Sequence, residues 1–196
     1  MNQRAILVGR GRLVAAGVVM VLAMPLAWLW AQGAPTYTAE QVKRGEYLVV
    51  IGGCHDCHTP KKMTERGPEP DFARSLSGHP AQEKLPAVPA GAITPTGWMA
   101  LTNGNLTAWA GPWGVSFALN LTPDVKTGIG GWTEEMFIQA LRTGKHLGMG
   151  RPILPPMPWQ NLSHATTEDL RAIFAYLKSL PVIENRVPDP IPPAVH

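Results

Sequence analysis

The stretch "GGCHDCHTP", residues 52–60, holds the only two cysteines of this 196-residue chain. Cys54 and Cys57 stand at i and i+3, and His58 follows directly. A pair of thiols at that spacing serves a structural metal site, a redox dithiol or the attachment of a haem. A zinc site takes four protein ligands, commonly two such pairs. Here the remaining histidines outside the motif, His79, His146, His164 and His196, are scattered singly. A redox dithiol wants a strand before it and a βαβ context, whereas the residues before Cys54 read as helix. Covalent haem attachment is the third use, and Cys-x-x-Cys-His is its signature. On a helical turn Cys54, Cys57 and His58 share one face, so two sulfurs reach the haem vinyl groups while the imidazole meets the iron. His55 and Asp56 then point away, as solvent-facing spacers. The expectation is one haem c, held by two thioethers, with its iron bound to His58.

The N-terminus reads as a targeting segment. Arg4, Arg10 and Arg12 are the only ionisable side chains in the first 33 residues, and they precede "LVAAGVVMVLAMPLAWLWA", residues 13–31, which carries no charge. That is a positive n-region followed by an apolar run. As a helix it would reach roughly 28 Å, close to a bilayer's hydrocarbon thickness. Trp28 and Trp30 suit the outer interface, with the arginines inside. The preferred reading is an uncleaved anchor, with cleavage after Gly33 and a soluble periplasmic protein as the alternative. The formal net charge of +3 resides in this leader: without its three arginines, 14 basic residues face 14 acidic ones. A nucleic-acid partner is therefore not expected.

Three helices follow from the pattern. "TYTAEQVKRGEYLVVIGG" opens with a capping box, Thr38 and Gln41, and ends at Gly52-Gly53. Val42, Tyr47, Leu48 and Ile51 are its expected apolar face. The second starts at Thr133 as N-cap, buries Phe137, Ala140 and Leu141, and stops near Gly144. The third starts at Thr166, carries Leu170, Ile173, Phe174, Leu177 and Leu180, and ends before Pro181. Between the motif and the second helix some seventy residues lack helical period. Within them "GWMALTNGNLTAW" reads as a β-hairpin turning at Asn103-Gly104. Trp98, Trp109, Trp113 and Trp132 are expected to pack as a satellite core, some of them walling the haem edge. Twenty prolines and twenty glycines make the chain loop-rich, and "ENRVPDPIPPAVH" reads as an extended tail with no core to join. The domains expected are a signal or anchor segment at 1–34, a haem domain at 35–182 with an insertion at about 61–131, and a proline-rich tail at 183–196.

An electron-carrying haem needs a sixth iron ligand. The candidates are Met63, Met99, Met136, Met149, Met157 and the four histidines outside the motif. Met157 in "RPILPPMPWQNLS" stands out, because Pro155, Pro156 and Pro158 stiffen the loop around it. It also falls between the second and third helices, with Trp159 expected nearby. Met136 reads as core. Met149, flanked by glycines, is the competitor.

Together "CHDCHTP" after a helix, "NLTPDVKTGIGGWTEEMFIQALRTG", "PPMPW" and "EDLRAIFAYLKSL" resemble bacterial class I c-type cytochromes. The likeness is strongest to the haem domains of membrane-bound alcohol and sugar dehydrogenase cytochrome subunits. It covers residues 41–181. It implies a mostly α chain with the cytochrome c fold, three core helices around a covalently attached haem; the long loop and hairpin insertion and the N-terminal hydrophobic helix are expected from the chain's own pattern. It implies thioethers at Cys54 and Cys57, iron ligands at His58 and Met157, and a small-on-aromatic helix contact between Gly45 and Tyr176. Those subunits carry several haem domains in tandem, while this chain has one motif and so one expected haem.

With His58 and Met157 both on the iron, no position stays open for a substrate. The expected function is single-electron transfer, as a carrier rather than an enzyme, on the periplasmic side of the cytoplasmic membrane. The expected partners are redox proteins: a membrane-bound dehydrogenase, an oxidase or another cytochrome. Lys61, Lys62 and Arg66 read either as steering charges for an acidic partner or as an ordinary solvated run. The alternatives are a haem enzyme or gas sensor with a labile distal ligand and, further off, a thiol oxidoreductase.

Overall fold

A computed structural model describes residues 36–94 and 96–193. The chain divides into units Met1–Thr36 and Tyr37–His196, and every element below belongs to the second. The expected hydrophobic helix at 13–31 lies outside the described residues. Among the described residues no helix is long and apolar enough to cross a membrane.

The three expected helices form where their caps place them. Helix α1 (Ala39–Ile51) begins at Thr38, whose side chain accepts from the Gln41 amide while the Gln41 side chain accepts from the Thr38 amide. This reciprocal pair satisfies two donors that a helix start otherwise leaves open. A short helix α2 (Cys54–His58) follows at once. Helix α3 (Glu134–Thr143) starts at Thr133 and ends at Gly144. After a short α4 (Trp159–Leu162), helix α5 (Thr167–Ser179) starts at Thr166 and stops at Leu180. Both α3 and α5 carry acidic side chains in their first turn, favourable beside the positive end of the backbone dipole.

Their buried faces make one core. Val49 of α1, Phe137 and Leu141 of α3, and Leu170, Ile173, Phe174 and Leu177 of α5 cluster with Leu76 and Ile129 from the loops. Each such side chain contributes on the order of 1.5–3 kcal/mol when fully buried. The faces of α3 and α5 are as their periodicity implies. That of α1 differs: Gly45 and Val49 are buried, while Tyr47 and Ile51 are exposed. The cause is the approach of α5. A Cβ built on Gly45 would stand 1.9 Å from the Ala172 carbonyl oxygen and 2.7 Å from Tyr176 Cβ. Backbone meets backbone there, which turns the line through 45 and 49 inward. The Gly45–Tyr176 contact implied by the resemblance is present. Met136, expected in the core, is 40% exposed.

The connecting chain is more ordered than its composition suggests, and loops rather than helices hold most of the described residues. Strands β1 (Lys61–Thr64) and β2 (Gly67–Pro70) form an antiparallel hairpin that periodicity does not reveal, since charges and two prolines occupy it. Strands β3 (Leu101–Thr102), β4 (Ala108–Gly111) and β5 (Gly114–Phe117) form an antiparallel sheet in that order. The pairing of Leu101 with Ala110 supports the hairpin expected there, but not its two-residue turn. Asn103 Oδ1 instead accepts from the amides of Thr107 and Ala108, both at 2.9 Å, so a side chain shapes a longer loop. Trp98, expected to pack, is 72% exposed.

The tail is extended but docked. Val115 and Ile191 exchange two backbone hydrogen bonds, at 2.8 and 2.9 Å. Asn185 Nδ2 donates to the carbonyls of Ser77 and His79 at 2.7 and 2.8 Å, and Asn120 Nδ2 donates to that of Ile183 at 2.8 Å. Prolines deprive the tail of donors and of a hydrophobic period, so asparagine side chains and an exposed strand edge fasten it in place of a core.

Candidate haem site

Helix α1 delivers the chain through Gly52-Gly53 into α2, so a helix rather than a strand leads into the cysteines. Cys54 and Cys57 are both free and half-buried, and His58 is 8% exposed. All three line one cavity of about 420 Å³. Its walls are mostly apolar: Phe137, Leu141, Ile173 and Leu177 from α3 and α5, Trp109, Phe117 and Leu119 from the sheet and the segment after it, and Ile153, Leu154 and Met157 from the loop before α4.

The imidazole is oriented from behind. His58 Nδ1 lies 2.7 Å from the Leu119 carbonyl oxygen. A carbonyl only accepts, so Nδ1 carries the proton and Nε2 keeps the free lone pair. Burial pushes the His58 pKa below the ordinary imidazole range, against the upward pull of the Leu119 carbonyl. The ring is therefore held neutral, which is the form that binds a metal.

The thiols are not the activated kind. Burial raises both, and Cys54 is pushed up to about 11. A reactive dithiol needs a thiolate near neutral pH, stabilised by a helix N-terminus or a cation; burial has the opposite effect here.

The turn after the motif is tied down by groups whose roles the sequence does not declare. Lys61 Nζ donates to the carbonyls of His55, Asp56 and Thr59 at 3.0, 2.9 and 2.7 Å. It thereby caps the carbonyl end of α2, so it is not a free steering charge. Arg66 pairs with Glu69 on the surface. His55 is half-buried rather than solvent-facing: Nδ1 lies 2.9 Å from Thr59 Oγ1, and its ring packs edge-on against Phe72. Asp56 is exposed, as expected.

Of the methionines weighed as ligands, Met157 lines the cavity with His58. Met149 is 85% exposed, and Met63 and Met99 are also exposed; none of the three lines it. Among the other histidines His146 lines the cavity, its ring edge-on to Trp132. His79 is buried elsewhere, with Nδ1 2.9 Å from Thr107 Oγ1. Trp109 and Trp132 are the tryptophans that wall the cavity. The donor set fits a covalently attached haem: two unactivated thiols on one turn, a neutral imidazole with one free nitrogen, a thioether in the same cavity and apolar walls for a flat macrocycle.

Sequence comparison points the same way. The chain is 28% identical over 151 residues to the cytochrome c subunit of the quinone-dependent alcohol dehydrogenase of Gluconobacter oxydans, covering 76% of this chain and 24% of that one. It is 30% identical over 135 residues to the gluconate 2-dehydrogenase cytochrome c subunit of Pantoea cypripedii, covering 69% of this chain and 22% of that one. A nicotinate dehydrogenase subunit of Pseudomonas putida is 26% identical over 156 residues, which are 80% of this chain and 10% of that protein. The chain thus spans a quarter or less of the length of these relatives. No protein-family model matches it. The similarity to dehydrogenase cytochrome c subunits that the motifs imply is borne out.

Proposed function

We propose that this relative of dehydrogenase cytochrome c subunits is a single-haem electron carrier, not an enzyme, working on the periplasmic side of the cytoplasmic membrane. Cys54 and Cys57 form the thioethers, His58 and Met157 hold the iron, and residues 13–31 anchor the chain. Helices α1, α3 and α5 are then the three core helices of a cytochrome c fold. The observation that carries the reading is one cavity shared by Cys54, Cys57, His58 and Met157.

When bound, the haem supplies a one-electron ferric/ferrous couple, and thioether ligation with burial raises its potential. The protein's own groups do the rest. Leu119 holds the His58 ring in its ligating tautomer. The apolar walls keep water from the cavity and favour the less charged, reduced state. With His58 and Met157 both holding it, the iron would keep no position open for dioxygen or substrate. The relatives are subunits of alcohol and gluconate dehydrogenases, which favours a membrane-bound dehydrogenase as the electron donor. Against the thiol oxidoreductase stand the raised Cys54 and the helix, rather than strand, that leads into the motif.

Ferric-state visible spectra test the ligand set, because sulfur on ferric iron gives a weak charge-transfer band in the far red. The band is expected in the wild type and in Met149→Ala and absent from Met157→Ala. A high-spin ferric spectrum in the wild type favours instead the haem enzyme or sensor.

A further inference from the structure

The loop that carries Met157 is poor in means of holding itself. Pro152, Pro155, Pro156 and Pro158 leave backbone N–H groups only on Ile153, Leu154 and Met157. Of these, Ile153 donates to the Gly144 carbonyl at 2.7 Å, and Met157 makes a long 3.4 Å bond to Leu154 within the loop. The carbonyls of Met157 and Pro158 accept from the start of α4, from Trp159 N at 2.9 Å and Asn161 N at 3.1 Å. It is therefore the Pro155–Pro156 stretch, with no N–H of its own, that is left to be fastened through a carbonyl by a donor from elsewhere. One is present. Ser116 Oγ donates to the Pro155 carbonyl, two residues before Met157, at 2.5 Å. Among the described residues, no other side chain distant in sequence hydrogen-bonds to residues 152–158.

Ser116 is well placed to act as a fixed point. It is 8% exposed, sits within β5 opposite Trp109 of β4, and lines the same cavity as His58 and Met157. Its strand is held on both edges, by β4 on one side and by the two backbone bonds between Val115 and Ile191 on the other. The hydroxyl thus links a braced sheet to a loop without its own ladder.

We propose that Ser116 is a positioning residue for the methionine side of the site: its hydroxyl holds the Pro155–Pro158 loop closed, and without it Met157 leaves the iron more readily. The inference rests on Met157 being the iron ligand, as argued under the proposed function. It also gives the insertion at 61–131 a role, bracing the sulfur ligand of a haem whose imidazole it already orients through Leu119. A small external ligand binds ferric iron only in molecules whose methionine has come off. Its apparent affinity therefore follows the open fraction. A neutral hydrogen bond of ordinary net strength changes that fraction about fivefold, tenfold for a short buried one.

The test is a titration of the ferric holoprotein with imidazole, followed by loss of the far-red band. Ser116→Ala is expected to bind imidazole about five- to tenfold more tightly than the wild type. Ser116→Thr, which keeps the hydroxyl, is expected to return the affinity to the wild-type value. Thr102→Val removes a 3.0 Å hydroxyl bond to the Ala108 carbonyl in the same sheet, away from the loop, and is expected to change nothing. An intact band with unchanged affinity in Ser116→Ala overturns the proposal and leaves Met157 ligation standing. An equal gain in Thr102→Val also overturns it, because general loosening then accounts for the effect. A wild type with no far-red band, and with the same imidazole affinity as Met157→Ala, removes the ligation itself and the proposal with it.

Discussion

His58 Nδ1 donates to the Leu119 carbonyl oxygen at 2.7 Å across 61 residues of sequence, so the motif's imidazole takes its orientation from the far end of the insertion. That carbonyl is itself clamped. Leu121 N donates to the Leu76 carbonyl at 2.8 Å, and His79 N to that of Ala118 at 2.9 Å. Gly78 lies flat against the same stretch.

Gly78→Ala tests this clamp. Gly78 has φ +79, and a Cβ there would meet the Ala118 carbonyl oxygen at 2.5 Å and the Leu119 carbonyl carbon at 2.6 Å, backbone that cannot swing aside. The expected loss of stability is about 2–4 kcal/mol, from overpacking and left-handed strain together. Denaturant unfolding of the holoprotein measures it, and a shifted midpoint potential is expected alongside because the His58 hydrogen bond moves.

Lys61 and Lys62 separate a structural charge from a solvated one. Lys61 makes three bonds to carbonyls at the end of α2, while Lys62 makes no side-chain bond among the described residues. Lys61→Met is expected to cost about 1–2 kcal/mol, and Lys62→Met to stay within about 0.5 kcal/mol of the wild type. Thermal and denaturant unfolding of the two variants side by side provide the check. Equal effects would return Lys61 to the surface charge run.

The tail supplies a third test. Asn185→Ala strips the donors from the Ser77 and His79 carbonyls and the acceptor from the Ala81 amide. A loss of about 2 kcal/mol is expected. Truncation after Leu180 is expected to lose more, since the pairing of Ile191 with Val115 goes as well. A truncated chain as stable as the wild type would restore the tail to a passive extension.

The parts legible in the sequence are those written in local chemistry. Thr38, Thr133 and Thr166 announce helix starts because an N-cap is decided within four residues, and Phe137, Leu141, Leu170 and Phe174 repeat at helical spacing. The motif by itself raises the expectation of a haem and of His58 as its imidazole. The cavity sets Met157 apart from Met149 as the proline context does. What stays hidden depends on backbone or on distance. The Leu119 carbonyl leaves no trace in a side-chain alphabet. Ser116 is an ordinary strand residue until Pro155 is beside it. The β1–β2 hairpin has no apolar alternation to betray it, and the inward turn of α1 follows from how closely α5 approaches Gly45.

The most direct measurement is intact mass together with the pyridine haemochrome of protein purified from cells that mature c-type cytochromes. One haem per chain, covalently retained on denaturation, with neither Cys54 nor Cys57 open to alkylation, is the predicted result. A colourless chain of bare polypeptide mass with two alkylatable thiols would contradict the account at its root.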